Sequence, residues 1–157
     1  MANKTYSFDI SFKVEDGRTF KLAYVGEVDG MPITEAEDVP DVVEWTTFTA
    51  KKWYSDNWNL TVKSADEAYI LSFDLRTGNS DVNYIVSGQY TIGTSGQYID
   101  ASYSEFNGNR KAFKEATLNV TYNEGDKTYD IDFDVTLHDD RNFKGSYSGA
   151  VAGSPAE

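Results

Sequence analysis

Tyr129-Asp130-Ile131-Asp132-Phe133-Asp134-Val135-Thr136-Leu137 places an apolar residue at every second position and a polar one between. That period of two is the signature of a strand with one face in a core and one in water. Tyr6, Phe8, Ile10, Phe12 and Val14 repeat it. Shorter runs follow at Phe20-Leu22-Tyr24, Trp58-Leu60-Val62, Tyr69-Leu71-Phe73-Leu75 and Leu118-Val120-Tyr122. Turn-rich segments divide them, among them Asp16-Gly17, Thr77-Gly78-Asn79-Ser80, Asn107-Gly108-Asn109 and Asn123-Glu124-Gly125-Asp126. No stretch of a dozen residues holds a 3.6-residue period. The sequence predicts an all-β, antiparallel domain of roughly eight to ten strands, arranged as a β-sandwich or, alternatively, a closed β-barrel.

Face parity sets the hairpins. For Phe8, Ile10 and Phe12 to share a face with Phe20, Leu22 and Tyr24, the loop must have an odd number of residues. Glu15-Asp16-Gly17 satisfies this and pairs Phe12 with Phe20, Ile10 with Leu22 and Phe8 with Tyr24. The same argument applied to Phe48, Ala50 and Tyr54 selects the loop Ser55-Asp56-Asn57, with Tyr54 opposite Trp58 and both facing the core.

The chain also repeats itself without a gap at an offset of 123. Tyr6, Asp9, Asp16, Arg18, Phe20, Lys21, Tyr24, Gly26 and Val28 recur as Tyr129, Asp132, Asp139, Arg141, Phe143, Lys144, Tyr147, Gly149 and Val151. Either two hairpins converge on one turn chemistry, or one hairpin is duplicated. The repeat predicts a second loop at His138-Asp139-Asp140. It pairs Val135 with Phe143, Phe133 with Gly145 and Tyr129 with Gly149, each glycine covered by the ring opposite it. A shorter echo, Ser87-Gly88-Gln89-Tyr90 and Ser95-Gly96-Gln97-Tyr98, reads as recurrent turn chemistry.

The segment Phe143-Lys144-Gly145-Ser146-Tyr147-Ser148-Gly149-Ala150-Val151 resembles the last strand of small secreted β-sandwich lipoproteins of Bacteroidetes. Ser87-Gly88-Gln89-Tyr90-Thr91-Ile92 resembles their mid-chain Gly-x-Tyr-x-Ile element. The resemblance covers about a third of the chain and implies a cell-envelope or extracellular β-domain. Its lipidated Cys would precede this sequence. The resemblance transfers no functional residue.

Composition narrows function further. The 157 residues, 17.6 kDa, suit one domain spanning residues 1–151 with a frayed tail at 152–157. Lys and Arg number 14 against 26 Asp and Glu, a net charge of −12 that disfavours nucleic acid and anionic lipid as partners. There is no cysteine, which removes disulfides, thiol nucleophiles and Cys-based zinc sites. No apolar run is long enough for a spanning helix, and Met1-Ala2-Asn3-Lys4 does not open a signal peptide, so membrane insertion of the domain is not expected.

Three kinds of site compete. If Phe48, Ala50 and Tyr54 face inward, then Trp45, Thr47, Thr49, Lys51 and Trp53 face outward, and two tryptophans on a polar face could stack on sugar rings. Trp45, Trp53, Thr47 and Lys51 are accordingly the candidate ligand-binding residues, against the plainer reading that both rings cap sheet ends. Acids supply the second kind. Residues 27–44 carry Glu27, Asp29, Glu35, Glu37, Asp38, Asp41 and Glu44 with no basic residue, and Asp130, Asp132 and Asp134 form an outward ladder. Neither matches the spacing of a calcium loop, and a solvated loop and a charge-protected strand explain both. Catalysis is the third. His138 is the only histidine and falls in a turn, and no Gly-x-Ser-x-Gly elbow occurs.

The expectation is a non-catalytic envelope or secreted domain that needs no cofactor and binds a glycan or another envelope protein. Its alternatives are a structural or adhesive module, and a barrel holding a small apolar ligand.

Overall fold

A computed structural model describes residues 6–13, 19–26 and 43–155, the first two stretches by backbone alone. The chain divides into two compact units, Met1–Asp38 and Val39–Glu157. All regular elements among the described residues are strands, which agrees with the all-β expectation.

The first unit contains one antiparallel hairpin, β1 (Tyr6–Lys13) and β2 (Thr19–Gly26). Its ladder pairs Phe12 with Phe20, Ile10 with Leu22, Phe8 with Tyr24 and Tyr6 with Gly26, the register that face parity requires. The loop at 15–17 and the acidic stretch 27–42 lie outside the described residues.

The second unit is built from β3 (Trp45–Tyr54), β4 (Asn57–Ser64), β5 (Ile70–Arg76), β6 (Gly88–Ile92), β7 (Tyr98–Ile99), β8 (Glu105–Phe106), β9 (Asn109–Arg110), β10 (Phe113–Asn123), β11 (Thr128–Leu137) and β12 (Asn142–Gly149). Around the sheet the order is β12-β11-β10-β6-β7-β5-β4-β3, with β8 paired to β5 and β9 to β8. Every pairing is antiparallel except β6 with β7.

The two ends of this order meet, so the sheet is nearly closed into a barrel, the second of the two expected arrangements. Trp45 Nε1 on β3 donates to the Lys144 carbonyl on β12 at 2.8 Å, and Phe48 stacks on Tyr147 with centroids 4.1 Å apart. The chain beyond β12 then runs parallel to β3. Ala50 N donates to Ala152 O at 2.7 Å and Ala152 N to Phe48 O at 3.2 Å. Val151 and Ser154 are buried, and the Ser154 hydroxyl lies 2.6 Å from that of Tyr129. Residues 152–155 are thus part of the closure and not a frayed end, because β3 would otherwise present unpaired backbone to solvent.

Alternation fills the interior. Leu60 and Val62 on β4, Leu71, Phe73 and Leu75 on β5, and Tyr129, Ile131, Phe133, Val135 and Leu137 on β11 are all buried. Rings interlock edge to face at the centre: Trp45 with Phe133 at 5.2 Å, Phe73 with Phe113 at 5.3 Å and Phe73 with Phe133 at 5.9 Å.

The ladder of β11 and β12 pairs Val135 with Phe143, Phe133 with Gly145 and Tyr129 with Gly149, as the repeat predicts. Its eight pairs map one for one onto those of β1 and β2 at the offset of 123. Asp140, last residue of the loop, has φ 66°, the left-handed position that closes a three-residue loop of this kind. At Gly145 an added Cβ would lie 2.6 Å from both Phe133 and Trp45, so two rings cover this glycine where one was expected. Gly149 differs: the group nearest it is the Tyr147 hydroxyl, while Tyr129 turns inward to bond Ser154 and to accept from Ile85 N.

In the echo at 87–98, Gly96 lies in a bend at φ 73°, as turn chemistry requires, and only Gly88 differs from expectation. The halves of the echo lead into β6 and β7, which pair side by side, and Gln97 Oε1 occupies the space a Gly88 side chain would need. Glycine here makes room for a neighbouring strand instead of a turn.

Candidate functional site

The barrel's outer wall carries a cleft of about 440 Å³ over β3, β4, β5, β8 and β9. Its position follows from where the ladders break. β3 pairs with β4 as Thr47 with Lys63, Thr49 with Thr61 and Lys51 with Asn59, and the register slips on both sides of this run.

At the first slip, Thr46 is an extra residue. Trp45 is thereby turned inward opposite Ser64, and it is buried against Phe133 and Phe143. The expectation that Trp45 faces solvent is corrected by that bulge. At the second, Trp53 is the extra residue. Lys52 faces Trp58, Tyr54 faces Asn57, and the turn is the two residues Ser55-Asp56, with Ser55 at φ 48°. The expected three-residue loop and the Tyr54–Trp58 pair are both replaced. Trp58 is fully buried, whereas Trp53 and Tyr54 are each 61% exposed.

Of the four candidates, then, Thr47, Lys51 and Trp53 face outward and Trp45 does not. Trp53 lines the cleft, and Lys51 lies over its ring with Nζ 4.6 Å from the centroid. Thr47 is not among the lining residues.

The floor is formed by the polar positions of β4 and β5: Asn57, which is buried, and Asn59, with Ser72, Asp74 and Arg76 on the neighbouring strand. They cross-link one another. Asn57 Nδ2 donates to Asp74 Oδ1 at 2.7 Å, Thr61 Oγ1 donates to Asn59 Oδ1 at 2.9 Å, and the hydroxyls of Thr61 and Ser72 lie 3.2 Å apart.

One wall is Trp53 and Tyr54. The other is Tyr103, 52% exposed, with Glu105 and Arg110. The second wall stands up because β8 and β9 form a tight hairpin whose turn, Asn107-Gly108, has φ 47° and 79°. Such a pair of left-handed residues is what a two-residue turn of the right twist demands. Asn107 anchors it by accepting from Ile70 N at 2.7 Å and donating to Ala68 O at 3.0 Å.

Every ring of the cleft has a cation against it. Lys51 covers Trp53, Arg76 lies 5.3 Å from the Tyr54 centroid, and Arg110 lies 5.6 Å from that of Tyr103. Arg76 also donates through Nη2 to the Tyr54 hydroxyl at 3.0 Å, and Arg110 Nε donates to Glu105 at 3.0 Å. These contacts hold exposed rings in fixed orientations.

Burial pushes the Asp74 carboxyl above its usual pKa, and nearby Asp100 adds to this, against the lowering effects of Asn57 and Arg76. Arg76 is held above its usual pKa because the Tyr54 hydroxyl and Asp74 outweigh the effect of its burial.

No group of three or more metal-ligating side chains occurs among the described residues. In the Asp130–Asp134 ladder, Asp130 accepts from Asn123, and Asp134 from Asn142 and Lys144. Glu44 is the one acid of the 27–44 stretch that lies among the described residues, and it is exposed. His138 falls in the β11–β12 turn, as expected.

Sequence reasoning missed Tyr54, Asn57, Asp74, Arg76, Tyr103, Glu105 and Arg110. The signal available was the alternation itself, since the positions between the greasy residues of β4 and β5 carried amides, a carboxylate and a guanidinium. Comparison with protein families, with curated proteins and with solved structures finds no significant match to this chain.

Proposed function

We propose that this protein is a non-catalytic carbohydrate-binding domain and that the cleft on β3, β4, β5, β8 and β9 is its sugar site. The observation that carries the reading is the coincidence of three exposed rings, Trp53, Tyr54 and Tyr103, around a floor of amides, a carboxylate and a hydroxyl. Sugars have an apolar face of C–H groups and a rim of hydroxyls, so a binding site for them needs rings and planar polar groups together. At about 440 Å³ the cleft matches the size of ordinary ligand sites, which start near 300 Å³. A domain of this kind acts at the cell envelope or outside the cell, where glycans are displayed.

The two other readings gain less support. Phe73, Phe133, Phe143 and Trp58 pack the barrel interior where a small apolar ligand would sit. The edge of β3 that an adhesive strand would use is already bonded to Ala152.

A glycan array followed by titration calorimetry tests the proposal. Binding to at least one oligosaccharide is expected, weakened about fivefold or more in Trp53→Ala and in Tyr103→Ala, since stacking on a ring contributes on the order of 1 kcal/mol or more. Silence across the array, or binding indifferent to both substitutions, would overturn it.

A further inference from the structure

Resting on the carbohydrate reading, we infer that the cleft selects an uncharged sugar: a neutral hexose or pentose unit, not a uronate, a sulfated sugar or an amino sugar. The chain carries −12 overall, yet the cleft lining is balanced, with Asp74 and Glu105 against Arg76 and Arg110. Each charge already has one of opposite sign within 4 Å, although Arg76 Nε, buried, makes no hydrogen bond among the described residues. Arg110 Nε is 3.0 Å from Glu105 Oε1, and Arg76 Nε is 3.9 Å from Asp74 Oδ1 with Nη1 3.8 Å from Asp56.

What the lining leaves unmatched is not charge but single hydrogen-bonding positions. Asp74 spends one carboxylate oxygen on Asn57, and Asn59 spends its carbonyl oxygen on Thr61. An acceptor on Asp74 and the amide donor of Asn59 therefore remain on directly paired positions of β4 and β5. A hydroxyl donates and accepts at once and fits both. A ligand carboxylate only accepts, so it serves Asn59 but not Asp74, whereas an ammonium only donates, so it serves Asp74 but not Asn59, and a balanced lining gives neither ion a net attraction to offset its desolvation. Beside a half-buried group such as Asp74, like-charge approach is penalised more than in bulk water.

The test uses the full chain and calorimetry with neutral hexasaccharides (glucan, xylan and mannan fragments), hexagalacturonate and chitosan hexamer. Titrations run at about 20 and about 200 mM NaCl, which moves the screening length from beyond the cleft to within it. The expected result is one neutral series bound at least about tenfold tighter than both charged probes, with affinity changing less than about twofold between salts. Tighter binding of hexagalacturonate or chitosan than of any neutral probe would overturn the inference while leaving the carbohydrate reading intact. Silence of every probe would remove both.

Glu105→Gln, a change at a side chain that need not refold the barrel, gives the lining a net charge of +1. Hexagalacturonate affinity should then rise about fivefold at low salt and fall back at high salt. No change in uronate binding would count against charge balance as the source of selectivity.

Discussion

Gly145 sits where two rings converge, and its φ is ordinary, so any effect of adding a side chain there is steric. A Cβ would stand 2.6 Å from Phe133 and from Trp45. Gly145→Ala should destabilise the protein by about 1–3 kcal/mol, the usual range for overpacking, read as a lower urea midpoint with an unchanged slope. The two tryptophans of β3 should separate in the same assay. Trp45→Ala removes a buried ring and should cost about 3–5 kcal/mol, whereas Trp53→Ala at an exposed bulge should stay within about 0.5 kcal/mol and act on binding. Asp74 sets stability against function. Its folded-state pKa is raised by burial, so the folded protein holds this proton more tightly than the unfolded chain does. Stability from this group is present below the unfolded pKa and declines as pH rises through the interval up to the folded value. Asp74→Asn, which can still accept from Asn57, should therefore raise Tm at neutral pH relative to the parent and leave it little changed near pH 3, while weakening sugar binding. The site was only partly legible in the sequence for a reason visible at two residues. Thr46 and Trp53 are bulge insertions, each shifts the side-chain period by one, and nothing in residue type announces them. Parity carried across them put Trp45 outside and Tyr54 inside, and both assignments reversed.

Within uninterrupted strands the period of two was a reliable guide. β11 and β12 pair in the register expected, and β1 with β2 likewise, because a one-residue slip would turn every aromatic to the wrong face. The short elements β6 to β9 were not readable, since two to five residues hold too little alternation to be distinguished from turns. The closing segment was hidden for a related cause. Ala-Gly-Ser-Pro has the composition of a tail, and only the unpaired edge of β3 makes it structural. Removing residues 151–157 should therefore cost about 3–6 kcal/mol, summing one buried valine and several hydrogen bonds. Hydrogen exchange should show Ala50 N–H, which bonds Ala152 O, losing protection first. If the shortened chain melts where the full one does, the segment is not part of the closure. In the β11–β12 hairpin, burial works to raise the Asp134 pKa, but Lys144 and Asn142 together hold it below the usual carboxylate value. Its contribution to stability is present above the unfolded pKa and lost as pH falls through the folded one.

Across the whole molecule, 26 acids against 14 basic residues repel one another at neutral pH. Screening should relieve part of that, so Tm should climb by about a few degrees between about 20 and about 200 mM NaCl at pH 7. A fall would mean that local ion pairs such as Lys144–Asp134 outweigh the overall repulsion. The latch between Ala152 and β3 has a temporal consequence as well. Phe48 and Ala50 leave the ribosome roughly a hundred residues before the partner that secures them, and Trp45 waits as long for Lys144. β3 therefore spends most of translation with a bare flank, and the cylinder can be sealed only after Ser154 has been polymerised. Loops of that span close late and slowly, which makes the nascent chain, more than the finished protein, the form most exposed to mispairing with its neighbours.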